Sequence, residues 1–267
     1  MNARRRPGCS SGFLKDTLKR EFPLHFAKGK KIFNIVVHMS DEPGSMGAIL
    51  EALGKRVNMI GTSSYTLNDG TAMFTSFVEA LSSNETPETL KGLLDGIATN
   101  LESDVIEGRD GLLVDTFHTG ILVGDDKYLL IMREGFSEVF DHIVRLFDTG
   151  GEVLLYEEGK ALGHDSSQRR MKELGGDTVA KESAYLDRAL TAQGWGVVET
   201  DNGESGFQVV VEDCFECSGA GKVRKGCDFL RGYYEGLMQG DGAPAAKLEE
   251  VECRLRGGDK CVFRVKS

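Results

Sequence analysis

The stretch "EEVECRLRGGDKCVF", residues 249–263, reads as two short strands around a glycine pair. Val251, Cys253 and Leu255 alternate on one face of the first strand, and Cys261 and Phe263 share a face of the second. Gly257 and Gly258 can take the positive φ angles of a tight turn. The two cysteines lie symmetrically about Gly257, so an antiparallel hairpin brings them nearly opposite each other. Such a pair suits a metal ion, a disulfide, or neither. Glu250 stands close by, but three positions from Cys253 it points to the other face of a regular strand. Both can reach one ion only if a β-bulge or an irregular strand entry intervenes.

Five of the six cysteines fall between 214 and 261, and Cys9 stands alone near the N-terminus. No apolar signal core precedes them, so the expected compartment is the cytoplasm, where clustered cysteines are metal ligands or redox thiols more often than structural disulfides. Upstream of the hairpin, "VVVEDCFECSGAGKVRKGCDFLRGYYEG" places Cys214 and Cys217 in a C-x-x-C and Cys227 at the start of a helix. Cys214 and Cys217 are additional candidates for metal binding or thiol chemistry.

At 267 residues the chain has room for two modest domains or one large one. A net charge of −10 argues against a nucleic-acid surface, which needs a basic face. Arg4-Arg5-Arg6 is the local exception, within a basic tail or helix over 1–30. No run of 18 apolar residues is present, so no membrane span is expected.

The first structured half reads β-α-β-β-α-β. Ile32–Met39 is a buried strand, and Met46, Ile49, Leu50 and Leu53 mark a helix after the turn at Asp41–Gly44. Two strands then flank Asn68-Asp69-Gly70, Thr86 caps a helix with Pro87 at its first position, and a closing strand follows near Asp104. This is the ferredoxin-like order. In the second half, Phe136, Val139, Phe140, Ile143, Leu146 and Phe147 give an amphipathic helix ended by Gly150-Gly151. "EVLLYEEGKALG" (152–163) reads as a strand, and a helix closed by Gly194 follows. Two strands are expected to pair across Asn202-Gly203, and a helix bearing Phe229, Tyr233 and Leu237 precedes the opening hairpin. The fold class is thus α/β (α+β): a ferredoxin-like βαββαβ domain, then a mixed α/β domain with a largely antiparallel sheet and a Cys-rich metal-binding end.

With Asp41-Glu42-Pro43-Gly44 at the first strand–helix junction and "VNMIGTSSY" opening the second strand, residues 31–107 resemble an ACT domain. That resemblance implies a regulatory domain that binds an amino acid or similar effector at Asp41, Gly44, Ser45 and Asn58, or that pairs two chains as a homodimer. A helix N-terminus offers free N–H groups to a carboxylate. Residues 112–267, with "C-x-F-x-x-G", "E-x-x-C" and "G-D-x-C-x-F", resemble the 4-vinyl-reductase-type small-molecule-binding domain. This domain also occurs in hydrocarbon-binding archaeal proteins and in the sensor modules of phenol- and xylene-responsive activators. The resemblance implies a structural zinc ion on Cys227, Glu250, Cys253 and Cys261, with no catalytic residue. It also implies a pocket for an apolar or aromatic ligand, for which Phe117, Phe136, Phe140 and Tyr233 are candidates.

Those activators continue into ATPase and DNA-binding domains, whereas Ser267 follows Phe263 closely, so any output is expected through a partner protein or through a reaction that the sequence does not display. The expected function is a small-molecule sensor. The alternatives are an accessory or reductase-related protein of pigment or aromatic metabolism, and a thiol redox sensor. No nucleotide-binding fingerprint or nucleophile elbow is present. His38, His118, His142 and His164 have no metal-ligand spacing, "GESG" and "GAGK" read as turns, and Trp195 reads as packing.

Overall fold

The computed structural model describes residues 24–123, 126–174, 179–203, 206–219, 223–243 and 247–266. The arginine cluster of the tail and most of "GAGK" lie outside the described residues. The chain divides into two compact units, Met1–Tyr128 and Leu129–Ser267. Residues 112–128, grouped by the sequence with the second half, thus fall in the first unit.

In the first unit a short strand, β1 (Leu24–Phe26), precedes β2 (Ile32–Ser40), α1 (Ser45–Gly54), β3 (Val57–Thr66), β4 (Thr71–Ala80), α2 (Pro87–Asp95) and β5 (Asn100–Glu107). The four longer strands form an antiparallel sheet in the order β3-β4-β2-β5, the ferredoxin-like arrangement that the element order implies. Phe33, Ile35 and Val37 alternate on the face of β2 that packs with Ile49 and Leu53 of α1 and with Leu90 and Leu94 of α2. Leu50, which the helical pattern includes, stays exposed. Thr86 caps α2 through a reciprocal capping box with Thr89, and Pro87 opens the helix. The closing strand begins at Asn100, earlier than the sequence suggests. Then β6 (Leu112–Val114) pairs with β1, and β7 (Ile121–Val123) with β8 (Asp126–Tyr128).

The second unit contains α3 (Arg133–Phe147), α4 (Thr149–Leu174), α5 (Val179–Ala192), β9 (Val197–Gly203), β10 (Gly206–Glu212), α6 (Asp228–Gly240), β11 (Leu248–Glu252) and β12 (Cys261–Val265). Its strands form an antiparallel sheet in the order β11-β12-β10-β9. Asn202 pairs with Phe207 and Gly203 with Gly206, so both residues lie within β9 and not between the strands.

One element departs from the sequence reading altogether. "EVLLYEEGKALG" is not a strand but the first half of the 26-residue helix α4. Its buried stripe is Gly151, Leu155, Gly159, Gly163 and Ser167, with the four-residue spacing of a helix face. Glycine and serine carry little hydrophobicity, so that period is invisible to an apolar pattern. The glycines are there for contact. A Cβ at Gly159 would lie 2.0 Å from the Phe229 carbonyl oxygen, and one at Gly163 2.0 Å from that of Tyr233. From α6, Gly232 and Gly236 meet the backbone of Tyr156 and Lys160 in the same way. Two helices in backbone contact outweigh the low helix propensity of glycine.

Candidate metal centre

The second-unit sheet, the turn after β10 and the start of α6 converge on one group of cysteines. β10 ends at Glu212, and Asp213 takes a left-handed conformation at φ 49° that turns the chain back. Arg133 holds that turn through the Asp213 carboxylate at 2.9 Å and its carbonyl. A single 3-10 turn, Phe215–Cys217, then carries the C-x-x-C, and the Phe215 N–H donates to the Trp195 carbonyl at 2.9 Å. Cys227 is the N-cap of α6. The hairpin is not closed by a tight Gly257-Gly258 turn. A 3-10 turn at Arg254–Arg256 and a left-handed Gly257 connect β11 to β12 instead.

The expected bulge is present: the β11–β12 register shifts between Glu250 and Glu252. With that shift Glu250 and Cys253, three apart, turn to the same side. Ligand atoms of Cys227, Glu250, Cys253 and Cys261 all lie within 4.8 Å of one another, and so do those of Cys214, Cys217, Cys227 and Cys261. Cys227 Sγ stands 3.8 Å from Cys253 and from Cys214, 3.7 Å from Cys261 and 3.2 Å from Cys217, while Cys217 and Cys261 are 3.5 Å apart. Tetrahedral zinc with bonds of about 2.3 Å holds its thiolates about 3.8 Å apart, so the spacing and the donor types fit such an ion. This Cys cluster can hold a metal.

Glu250 is tightly placed. The Cys227 N–H donates to both of its oxygens at 3.2 Å, and Arg256 donates to Oε2 at 2.9 Å. A Cβ at Gly226 would lie 2.7 Å from that oxygen, so the glycine makes room for the carboxylate. Burial pushes the Glu250 carboxyl up, against hydrogen bonds from Cys253 and Cys227 and the charge of Arg256. Among the thiols, hydrogen bonds from Cys214 and Cys227 hold Cys217 well below the ordinary range, whereas Cys227 and Cys261 are pushed far above it by their sulfur neighbours. Sulfurs this close do not ionise together without a cation to offset the charge.

Around the cysteines lies a buried polar network that sequence reasoning missed. Glu216, inside the C-x-x-C, accepts the N–H groups of Phe229 (3.1 Å) and Leu230 (2.8 Å) in the first turn of α6. Arg224 donates to Asp141 Oδ1 at 2.7 Å, to Ser137 Oγ at 2.7 Å and to the Glu216 carbonyl at 2.7 Å. Burial pushes the Glu216 carboxyl up to about 8, against the pull of Arg224 and the two N–H donors. Asp141 sits on α3 between apolar positions, so only the fold reveals its partner.

Phe136, Phe140 and Tyr233 join one aromatic cluster with Trp195, Phe215 and Phe229. Ring centroids stand 4.7 Å apart for Phe136–Phe140, 5.0 Å for Phe140–Phe229, 4.7 Å for Trp195–Tyr233 and 5.2 Å for Trp195–Phe215. Phe117 is not among them: it follows β6 in the first unit. Tyr234 Oη is buried with no hydrogen-bond partner, and burial raises its pKa well above the phenolic value. In the first unit, Asp41, Gly44 and Ser45 gather at the start of α1, and Ser45 Oγ is also buried without a partner. Asn58 does not join them. It pairs with Glu79 at the opposite end of the sheet from Ser40 and Thr71. Of the histidines, His118 meets Asp115 at 2.8 Å and His38 meets Thr71 at 2.8 Å, both within the first unit.

The family model of the V4R domain matches residues 207–267, from β10 through the C-x-x-C and α6 to the last hairpin. The expected 4-vinyl-reductase-type domain is therefore matched over the C-terminal part of 112–267. No curated protein matches the chain. Among solved structures, the phenol-responsive sensory domain of the transcription activator PoxR, with phenol, is similar at 11% identity over 83% of this chain and 89% of that one, with a TM-score of 0.44. A vinyl-4-reductase family protein from Methanocaldococcus jannaschii is similar at 21% identity over 52% and 83% of the two chains, TM-score 0.36. The C-terminal domain of the MgtC protein from Mycobacterium tuberculosis is similar at 13% identity over 32% of this chain and 95% of that one, TM-score 0.26. Among the described residues, no helix is long and apolar enough to cross a membrane.

Proposed function

We propose that the chain is a small-molecule sensor whose second unit binds an apolar or aromatic ligand beside a zinc-stapled hairpin. The observation that carries this reading is the V4R match over residues 207–267, which contains every residue of the four-ligand set. Zinc on Cys227, Glu250, Cys253 and Cys261 is structural: four protein ligands leave no open position for a water nucleophile, and the ion ties α6 to the β11–β12 hairpin. The ligand sits against the rings of Phe136, Phe140, Trp195, Phe229 and Tyr233. The unpartnered hydroxyl of Tyr234 supplies a polar handle, since a buried O–H left unpaired costs about 1–3 kcal/mol and gains from any acceptor.

The ACT-like first unit serves as the second regulatory element. The N–H groups at the start of α1, with Ser45 Oγ, receive an amino-acid carboxylate, or the sheet pairs two chains as a homodimer. Ligand binding shifts the population of chain arrangements.

Trp195 is the single tryptophan of the chain, so its emission reports on the ring cluster directly. Titration with phenol, p-cresol and toluene should change that emission saturably, and Tyr234→Phe should weaken phenol several-fold while leaving toluene unchanged. Linear, unsaturable quenching with no calorimetric heat for any of the three would refute the reading.

A further inference from the structure

The two four-ligand sets share Cys227 and Cys261, and each completes itself with a pair the other does not use. Cys214 and Cys217 complete one, Glu250 and Cys253 the other. Neither terminal pair groups with the other as a four-ligand set, while both stand against the same two sulfurs. A single tetrahedral ion on the glutamate side leaves Cys214 and Cys217 unused, although Cys217 stands 3.2 Å from Cys227 and 3.5 Å from Cys261.

We propose that the centre is binuclear: two zinc-class divalent ions bridged by the thiolates of Cys227 and Cys261, one capped by Glu250 and Cys253 and the other by Cys214 and Cys217. Each ion then has four ligands, two terminal and two bridging, which is the coordination number that zinc prefers. The shared sulfurs stand 3.7 Å apart, a separation that lets two ions with bonds of about 2.3 Å sit on either side of the pair. On binding, each thiol transfers its proton to solvent and no electron moves.

The second ion has a structural task that the first cannot perform. The Cys214–Cys217 turn also carries Phe215 into the aromatic cluster and Glu216 onto the first turn of α6. An ion held by both cysteines of that turn fixes one wall of the ring cluster to the hairpin. The inference extends the metal-stapled reading and uses its two shared cysteines, but its test does not involve the aromatic ligand.

The test is metal stoichiometry on the full chain. Wild-type apoprotein titrated with Zn(II) under competition by a chromophoric chelator should take up two ions, and the Cys214→Ser/Cys217→Ser variant one. Co(II) gives a second readout that needs no variant. Thiolate-to-cobalt absorbance should rise to two equivalents, and the paramagnetic signal of the first equivalent should fall as the second binds, because bridging sulfurs couple the two spins. Uptake that ends at one ion in wild type overturns the binuclear centre, and the ring-cluster titration then stands independently. Two ions retained in the double variant, or uncoupled cobalt spins at two equivalents, overturn it as well, as does iron bound with acid-labile sulfide.

Discussion

Arg224 is a long cationic side chain with no exposed surface, and every donor direction it offers is answered by Asp141, Ser137 or Glu216. Removing one partner of such a network leaves a buried charge uncompensated, which typically costs 3–5 kcal/mol. Arg224→Leu should therefore lower unfolding free energy by about that amount in urea titrations. Asp141→Asn should cost less, since the amide oxygen still accepts from Arg224. Glu235 is a second buried acid with a different balance. Burial pushes its carboxyl up, but hydrogen bonds from Tyr156, the Leu248 N–H and Lys247 outweigh that and leave it below the ordinary value. A depressed folded-state pKa stabilises the fold above the unfolded-state value and loses that contribution as pH falls through the folded one. Wild type should accordingly lose stability as pH drops below about 4.5. Glu235→Gln, less stable at neutral pH, should show a shallower decline there, read by thermal melts across pH 3–6.

Between elements, the decisive contact is that of α4 with α6. Gly159, Gly163, Gly232 and Gly236 place two helix backbones against each other, and a methyl group at any of these four meets a carbonyl, which cannot rotate away. Gly163→Ala should cost about 3 kcal/mol or more, because overpacking against backbone forces the helices apart. Gly194→Ala tests the other role of glycine. Nothing lies within 4 Å of its added methyl, and the cost there comes from the left-handed φ of 84° alone, about 1–2 kcal/mol. Equal losses at the two sites would remove the case for backbone contact. This contact is also why the sequence misleads at 152–163. The helical stripe is written in glycine and serine, and the exposed Val153, Leu154 and Leu162 lie off it.

For the whole molecule, the cysteine cluster that can hold a metal and the ferredoxin-like sheet belong to different compact units. Metal removal should therefore act on one of them. An ion present at a thousand times its dissociation constant stabilises the folded state by about 4 kcal/mol. A strong chelator should lower one calorimetric transition by several degrees and leave the other in place, and readdition of Zn(II) should restore it. A single transition that moves as a whole would mean that the two units unfold together.

Much of this was legible beforehand. The β-α-β-β-α-β order, the Thr86–Pro87 helix start and the Cys227 helix follow from periodicity and capping, which are local properties of sequence. The spacing of Glu250 and Cys253 even required a bulge, because side chains three apart diverge on a regular strand. What sequence could not carry is pairing between distant segments: that Cys214 and Cys217 come within reach of the same sulfurs as Glu250 and Cys253, that Phe215 meets Trp195, that Asp141 receives Arg224, and that Asn58 stands apart from Ser45. Local rules set which way a side chain points along its own element. Only the closing of helices against the sheet decides which side chains meet, because the free energy of those meetings lies in burial shared by both partners.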